Sequence, residues 1–219
     1  QEAIDHINSV RVEGDKWTIE IAHGTYTENI VVPDGVSLQG YGANHAVIDG
    51  TVETTVGVNT SLRFITFNDT LTIRNPCSII DCYSYGGVVV SDDAIIQAYN
   101  FHITPEEGVI PLTMQSTGRY HGILSSITSQ GNVPAIQQTN GMIILFMTEV
   151  SGSRVAGPII NSTGGVINIL GSYVLNLGGG QSASINNGAS ATPNGISDCL
   201  MVGNLACGDA ATIIAGLSL

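Results

Sequence analysis

The sequence predicts an all-β fold, a single right-handed parallel β-helix (a solenoid) with a short N-terminal capping helix. Three observations carry that reading. The first is a repeat: Pro134-Ala-Ile-Gln-Gln-Thr-Asn-Gly-Met142 is answered twenty-four residues later by Pro158-Ile-Ile-Asn-Ser-Thr-Gly-Gly-Val166. Thr148, Glu149 and Val150 fall on Ser172, Tyr173 and Val174 in the same register. One copy earlier, Pro111 to Thr117 opens the pattern at an offset of twenty-three, with Ser125, Ser126 and Ile127 in the later positions. A fixed period of this size marks stacked supersecondary units that bury apolar faces against one another. The second observation is that two interleaved series of strand-like segments share this spacing. The third is that nothing between them is long enough for a crossover helix, so parallel pairing has to be met by coiling the chain, each coil bonding to the next at roughly 4.8 Å.

Taken in order, Glu2 to Val10 places Ala3, Ile4, Ile7 and Val10 on one helical face, which suits a lid over one end of the stack. From Trp17 the pattern switches to strands: Thr18 to Ile21, a turn at His23-Gly24, Asn29 to Val32, a turn at Pro33-Asp34-Gly35, and Val36 to Leu38 before Gly40-Tyr41-Gly42. The longer series then runs Ser61 to Phe67, Ser78 to Ser84, Ala94 to Ile103, Arg119 to Ile127, Met142 to Val150, Val166 to Leu175 and Ile196 to Leu205. The shorter series is Leu71 to Ile73, Val88 to Val90, Val109 to Thr113, Ala135 to Ile136, Ile159 to Ile160, Ala183 to Ile185 and Ala211 to Ile214. Alternate positions such as Ile143, Leu145 and Met147, or Ile167 and Ile169, are expected in the core. One domain, 1–219, is expected, with residues 1–12 as the cap and 17–219 as about eight or nine coils forming a prism on the order of 40 Å long. The start at Gln1 and the apolar end from Ile213 to Leu219 lack the polar capping units that solenoids need, which reads as a piece of a longer chain.

Six Lys plus Arg face eighteen Asp plus Glu, a formal charge of −12, so the surface repels phosphate backbones and anionic lipid. Nucleic acid is excluded as a partner on that ground. Charged residues are 11% of the chain against roughly 25% in an average domain, and Gly, Ser, Thr and Asn fill the space between apolar runs. Such a surface solvates weakly, which points to burial against another chain. The longest apolar run, Met142 to Met147, is too short to span a bilayer, so no membrane insertion is expected.

Cys77 and Cys82, and Cys199 and Cys207, form two close pairs without the spacing of a zinc knuckle or a redox motif. Each pair is read either as buried small hydrophobes or as a local disulfide. Asn59, Asn68 and Asn161 open Asn-X-Ser/Thr glycosylation acceptors, which matter only on a eukaryotic secretory route.

Trp17 to Val32, then Val36-Ser-Leu-Gln-Gly40-Tyr-Gly42 and Ala46-Val-Ile-Asp-Gly50, resemble the opening coils of pectin methylesterases and the wider pectin-lyase-like family of right-handed β-helices. In that family a helix lid precedes a strand, a Gly-X-Tyr-X-Glu turn and a Leu-X-Gly-X-Gly strand. The resemblance covers about fifty residues and implies the fold. The family's catalytic Asp pair and Arg have no counterpart here, since neither Gly-Thr-X-Asp-Phe-Ile-Phe-Gly nor Leu-Gly-Arg-Pro-Trp occurs.

Polygalacturonase-like members carry an Asp-Asp pair and a Gly-His-Gly, and this chain has Ser91-Asp92-Asp93 and Tyr120-His121-Gly122. A hydrolase reading would therefore use Asp92 and Asp93 as acid and base, with His121 beside them and Arg119 as the neighbouring cation. The competing reading makes them a solvated turn pair and an incidental His. His6, His23, His45 and His102 are scattered without ligand spacing, no carboxylate cluster suits calcium, and no metal or cofactor is expected. Two function classes follow. The first is a non-catalytic structural or assembly module, a virion or extracellular component that self-associates as a homotrimer through its C-terminal coils, around Ser182 to Pro193 and Ala210 to Leu219. The second is a carbohydrate-active or carbohydrate-binding module with Tyr83, Tyr85, Tyr99 and Tyr120 as stacking platforms, against which stands an aromatic ladder inside the core.

Overall fold

The computed structural model describes residues 1–12, 14–42, 46–57, 59–154, 156–185, 194–202, 204–207 and 213–216, the last two segments by backbone placement only. His45, the side chain of Cys207 and most of the C-terminal stretch lie outside the described residues.

The chain is a parallel β-solenoid of about eight turns with one short N-terminal helix, Glu2–Val10. One sheet of 17 strands and one of nine wrap a single core, and successive coils pair in parallel throughout the described strands. The larger sheet is bent along its length into two legs, so each coil presents three faces. Arg119–Ile123 and Met142–Phe146 are first-face strands, Ser126–Thr128 and Glu149–Gly152 second-face strands, and Leu112–Met114 and Ile136–Gln138 third-face strands. The strands Cys77–Ser84 and Ile95–Ile103 run through the bend without a break.

The bend has a conformational cause. Phe64, Asp81, Asn100, Leu124, Met147 and Asp198 stack one above another with φ between 48° and 57°, joined by Gly171 at 55°. One left-handed residue turns the strand through a corner, and the very next residue turns inward beneath it. In five of these seven coils that inner position carries a hydroxyl or thiol which bonds back to the carbonyl two residues earlier: Cys82 to Ile80 (3.3 Å), Ser125 to Ile123 (3.0 Å), Thr148 to Phe146 (3.2 Å), Ser172 to Leu170 (2.9 Å) and Cys199 to Ser197 (2.9 Å); in the other two it is Ile65 and Phe101. The same Ser125 and Ser172 hydroxyls accept from the amides of Phe101 and Thr148 in adjacent coils, at 3.2 and 3.1 Å. Backbone groups that the corner removes from the ladder are thereby satisfied within the core.

Core residues rise in columns. Leu38, Leu62, Ile79, Ala98, Gly122, Leu145, Ile169 and Ile196 are successive partners on the first face. The small members make room for a large neighbour: a Cβ at Gly122 would stand 3.0 Å from Cε1 of Tyr120, whose ring fills that space. Gly40 likewise lies against the Phe64 carbonyl, where a Cβ would approach to 2.2 Å.

Several expectations are corrected. The offset of twenty-three holds on the first face, Arg119 pairing with Met142, but Leu112 pairs with Ile136 on the third, an offset of twenty-four. The corner from Gln115 to Gly118 is one residue longer than that from Thr139 to Gly141, which absorbs the difference. The third-face strand expected from Val109 is Leu112–Met114, because residues 104–111 form a longer corner. At the C-terminal end, Asn204–Cys207 belongs to the third face and Ile213–Gly216 returns to the first, the reverse of the expected assignment. Gly24–Tyr26 is a strand, not a turn. Met147 is 53% exposed because it occupies the left-handed corner, where period-two alternation breaks. On the helix only Ile4 and Ile7 are buried, while Ala3 and Val10 face out. Of the two readings of the cysteines, that of buried apolar residues holds for Cys77 and Cys82, which are free thiols, and Cys199 is a half-buried free thiol.

Candidate functional site

Asp92 and Asp93 occupy the corner between the third face and the strand Ile95–Ile103, whereas His121 lies on the outer side of the first face. Asp92 (φ 54°) faces Arg74 at 3.9 Å and accepts from Ser91 Oγ at 3.5 Å, and Asp93 accepts from the Thr117 hydroxyl of the next coil. His121 pairs in register with Gln97, four residues beyond Asp93. Asp92 and Asp93 lie in the turn before that strand, so the imidazole stands on the first face and the aspartates on its corner. The structure therefore joins the two aspartates at one corner and does not bring His121 to them. Burial and the neighbouring Arg119 hold the His121 pKa below its usual value, and its Nε2 has no hydrogen-bond partner among the described residues. Among those residues, no group of three or more His, Cys, Asp or Glu is placed to hold a metal ion, and no helix is long and apolar enough to cross a membrane.

The four tyrosines separate. Tyr120 is fully buried and cannot serve as a platform; its hydroxyl lacks a partner among the described residues, and burial drives its pKa upward. Tyr83 stacks on His102, ring centroids 4.9 Å apart at 24°. Tyr85 and Tyr99 are exposed, 44% and 47%. No aromatic ladder fills the core, since three of the four rings lie on the outside.

Three surface features remain. The first is a polar cleft of about 510 Å³ formed by Asp49, Asn68, Tyr85, Thr104, Glu106 and Glu107 with Gln130, walled by the long corner after the second face.

The second is an apolar ridge. Tyr99, Ile123, Phe146 and Leu170 are successive partners in four coils, each 36–47% exposed, and Leu124 and Met147 stand beside them at the corner, 44% and 53% exposed. In other coils that corner carries Asp81, Asn100, Gly171 and Asp198, residue types that tolerate positive φ, and the half-buried Phe64. Leu124 and Met147 tolerate it poorly, and they also expose their side chains.

The third is a polar chain across three coils. Asn100 Nδ2 donates to Asp81 Oδ1 at 2.6 Å, Asn100 Oδ1 lies 3.1 Å from His102 Nε2, and His102 Nδ1 lies 2.7 Å from Ser126 Oγ. All four side chains are half-buried. In the sequence His102 reads as isolated because the contacts that join this chain across coils span nineteen and twenty-four residues along unequal coils (Asp81 to Asn100, His102 to Ser126). The coil register, once fixed, is the signal that finds them.

No family model matches the chain, and neither does any curated protein or solved structure.

Proposed function

We propose that this chain is a structural module that assembles with copies of itself in a virion or extracellular layer, and that the ridge from Tyr99 to Leu170 is the contact. The observation that carries this reading is the pair Leu124 and Met147. Each combines a left-handed backbone, costing roughly 1–2 kcal/mol for an ordinary L-residue, with an exposed apolar side chain, and burial of that side chain against a partner offsets the cost. A second copy suits the ridge on charge grounds: two chains of −12 repel, and contact is favoured where neither presents a carboxylate. Ile123, Leu124, Phe146, Met147 and Leu170 form such a strip. Three copies with parallel axes would bury their strips together and leave the acidic corners outside. The sparse charge and the Ser-, Thr-, Asn- and Gly-rich surface support a setting in which much of the chain is covered.

A cross-linking experiment tests the contact. In a Cys199→Ser, Cys207→Ser background, Leu124→Cys adds an exposed thiol to a chain whose Cys77 and Cys82 are buried. Mild oxidation should yield a covalent oligomer, while Val31→Cys on the third face, at least as exposed, should not. Equal cross-linking at both positions, or none at Leu124→Cys, would contradict the assignment.

A second reading, a carbohydrate-binding module, is favoured by the cleft at Tyr85, where an exposed ring is surrounded by Asp49, Asn68, Glu106 and Gln130, the acceptors and amides that bind sugar hydroxyls. Titration with neutral oligosaccharides, followed by Tyr85→Ala, tests it: binding lost in the variant supports the reading, and no binding at millimolar sugar removes it.

A further inference from the structure

The chain Asp81, Asn100, His102, Ser126 has a direction fixed by chemistry. A carboxylate offers only acceptors, so the Asp81 contact assigns the amide nitrogen of Asn100 to that side and turns its carbonyl oxygen toward His102. A carbonyl cannot donate, so Nε2 carries a proton, and in the neutral imidazole Nδ1 is left bare. The remaining contact, 2.7 Å from Nδ1 to Ser126 Oγ, is then a hydroxyl donating to an unprotonated base. A hydroxyl within hydrogen-bond reach of a base that a third group orients is the arrangement that activates a serine nucleophile. The ring is held from its face as well, by the stacked Tyr83. Asp81 and Asn100 both sit at positive φ, 52° and 51°, so the positioning groups are carried by the left-handed corner of the solenoid itself.

We propose that Ser126 is an activated nucleophile that accepts an acyl group from a carboxylic ester, with His102 as its base and Asn100 and Asp81 as positioning residues. Ser126 Oγ attacks the ester carbonyl carbon and its proton passes to His102 Nδ1. The Nε2–H to Asn100 bond, backed by Asp81, stabilises the imidazolium that results. The ester C–O bond then breaks, the proton on Nδ1 goes to the departing alkoxide, and O-acyl Ser126 and a free alcohol remain. Neither oxidant nor metal enters the balance. The outward side of the second face leaves Ser126 and His102 half-buried, open enough for a small ester or one presented by a partner.

The test is covalent labelling of the purified full chain with a fluorophosphonate, in which Ser126 Oγ displaces fluoride at phosphorus, read by intact mass and peptide mapping. The expected result is one adduct, on Ser126, formed at least tenfold more slowly in His102→Ala and in Asn100→Gly, and absent in Ser126→Ala. Glycine fits the positive φ of Asn100, so that variant removes the orienting carbonyl without straining the corner. The labelling rate of the wild type should rise with pH along one ionisation that disappears in His102→Gln, a change that a merely structural histidine would not produce. No adduct at millimolar probe, an adduct elsewhere, or a Ser126 rate indifferent to His102 overturns the proposal.

Discussion

Cys82 and Ser125 hold the same place in coils two turns apart: Cys82 Sγ donates to the Ile80 carbonyl at 3.3 Å as Ser125 Oγ donates to that of Ile123 at 3.0 Å. Thr148, Ser172 and Cys199 complete the set. The cysteines are thus the sulfur members of a hydroxyl column beneath the left-handed corner. Cys82→Ser should keep the donor and stay within about 1 kcal/mol of wild type, whereas Cys82→Val, similar in size but unable to donate, should lose about 1–2 kcal/mol. Denaturant midpoints decide. Burial pushes the Cys82 thiol up to about 12 and the Cys77 thiol higher still, so both should resist alkylation at pH 8 until the chain unfolds. Rapid native alkylation of either would contradict this placement.

Tyr120 should be replaceable by phenylalanine at no cost. Its ring fills the space above Gly122, but its buried hydroxyl has no partner among the described residues, and an unsatisfied buried hydroxyl destabilises by about 1–3 kcal/mol. Tyr120→Phe is expected to leave the unfolding midpoint unchanged or raise it. A loss above about 1 kcal/mol would mean that the hydroxyl is satisfied in solution.

Leu124→Asn copies the corner residue of the preceding coil, Asn100. It should stabilise the monomer by about 1 kcal/mol through relief of left-handed strain, and weaken self-association at the same time. Thermal unfolding at low concentration reads the first effect and sedimentation the second. A variant that is both less stable and equally associated would refute the role given to this corner.

His121 supplies a pH dependence. Burial and Arg119 lower its pKa in the folded chain, so the unfolded chain binds that proton more readily. Its stability contribution is intact above the unfolded value of about 6.5 and is lost as pH falls below it. His121→Gln should flatten the decline in unfolding midpoint below that pH, and Arg119→Gln should raise the His121 pKa measured by NMR. An unchanged slope in the first variant, or a lowered pKa in the second, would contradict this reading.

The period of the coils and the inward set of Ile143, Leu145, Ile167 and Ile169 were legible in the sequence, because strand alternation and repeat spacing are local signals. Met147 was not, since alternation stops at a left-handed residue and nothing local announces that a methionine adopts one. Tyr120 reads as a surface aromatic until its column partners Ile96 and Ile143, and the space left by Gly122 in the neighbouring column, are known. The Ser126 to Asp81 chain was hidden for a similar reason: its members lie in three coils of unequal length, and only the register of the sheet brings them together. Corner lengths set that register, and the long corner at residues 104–111 moved the strand expected from Val109 to Leu112.

Light scattering on the purified chain at tens of micromolar tests the central claim, that the ridge is buried between copies. A mass three times 22.8 kDa is predicted for the wild type, falling to a single chain in Phe146→Asp, which places a carboxylate in the middle of the strip. A wild-type mass of 22.8 kDa without concentration dependence, or a threefold mass that Phe146→Asp leaves intact, would contradict it.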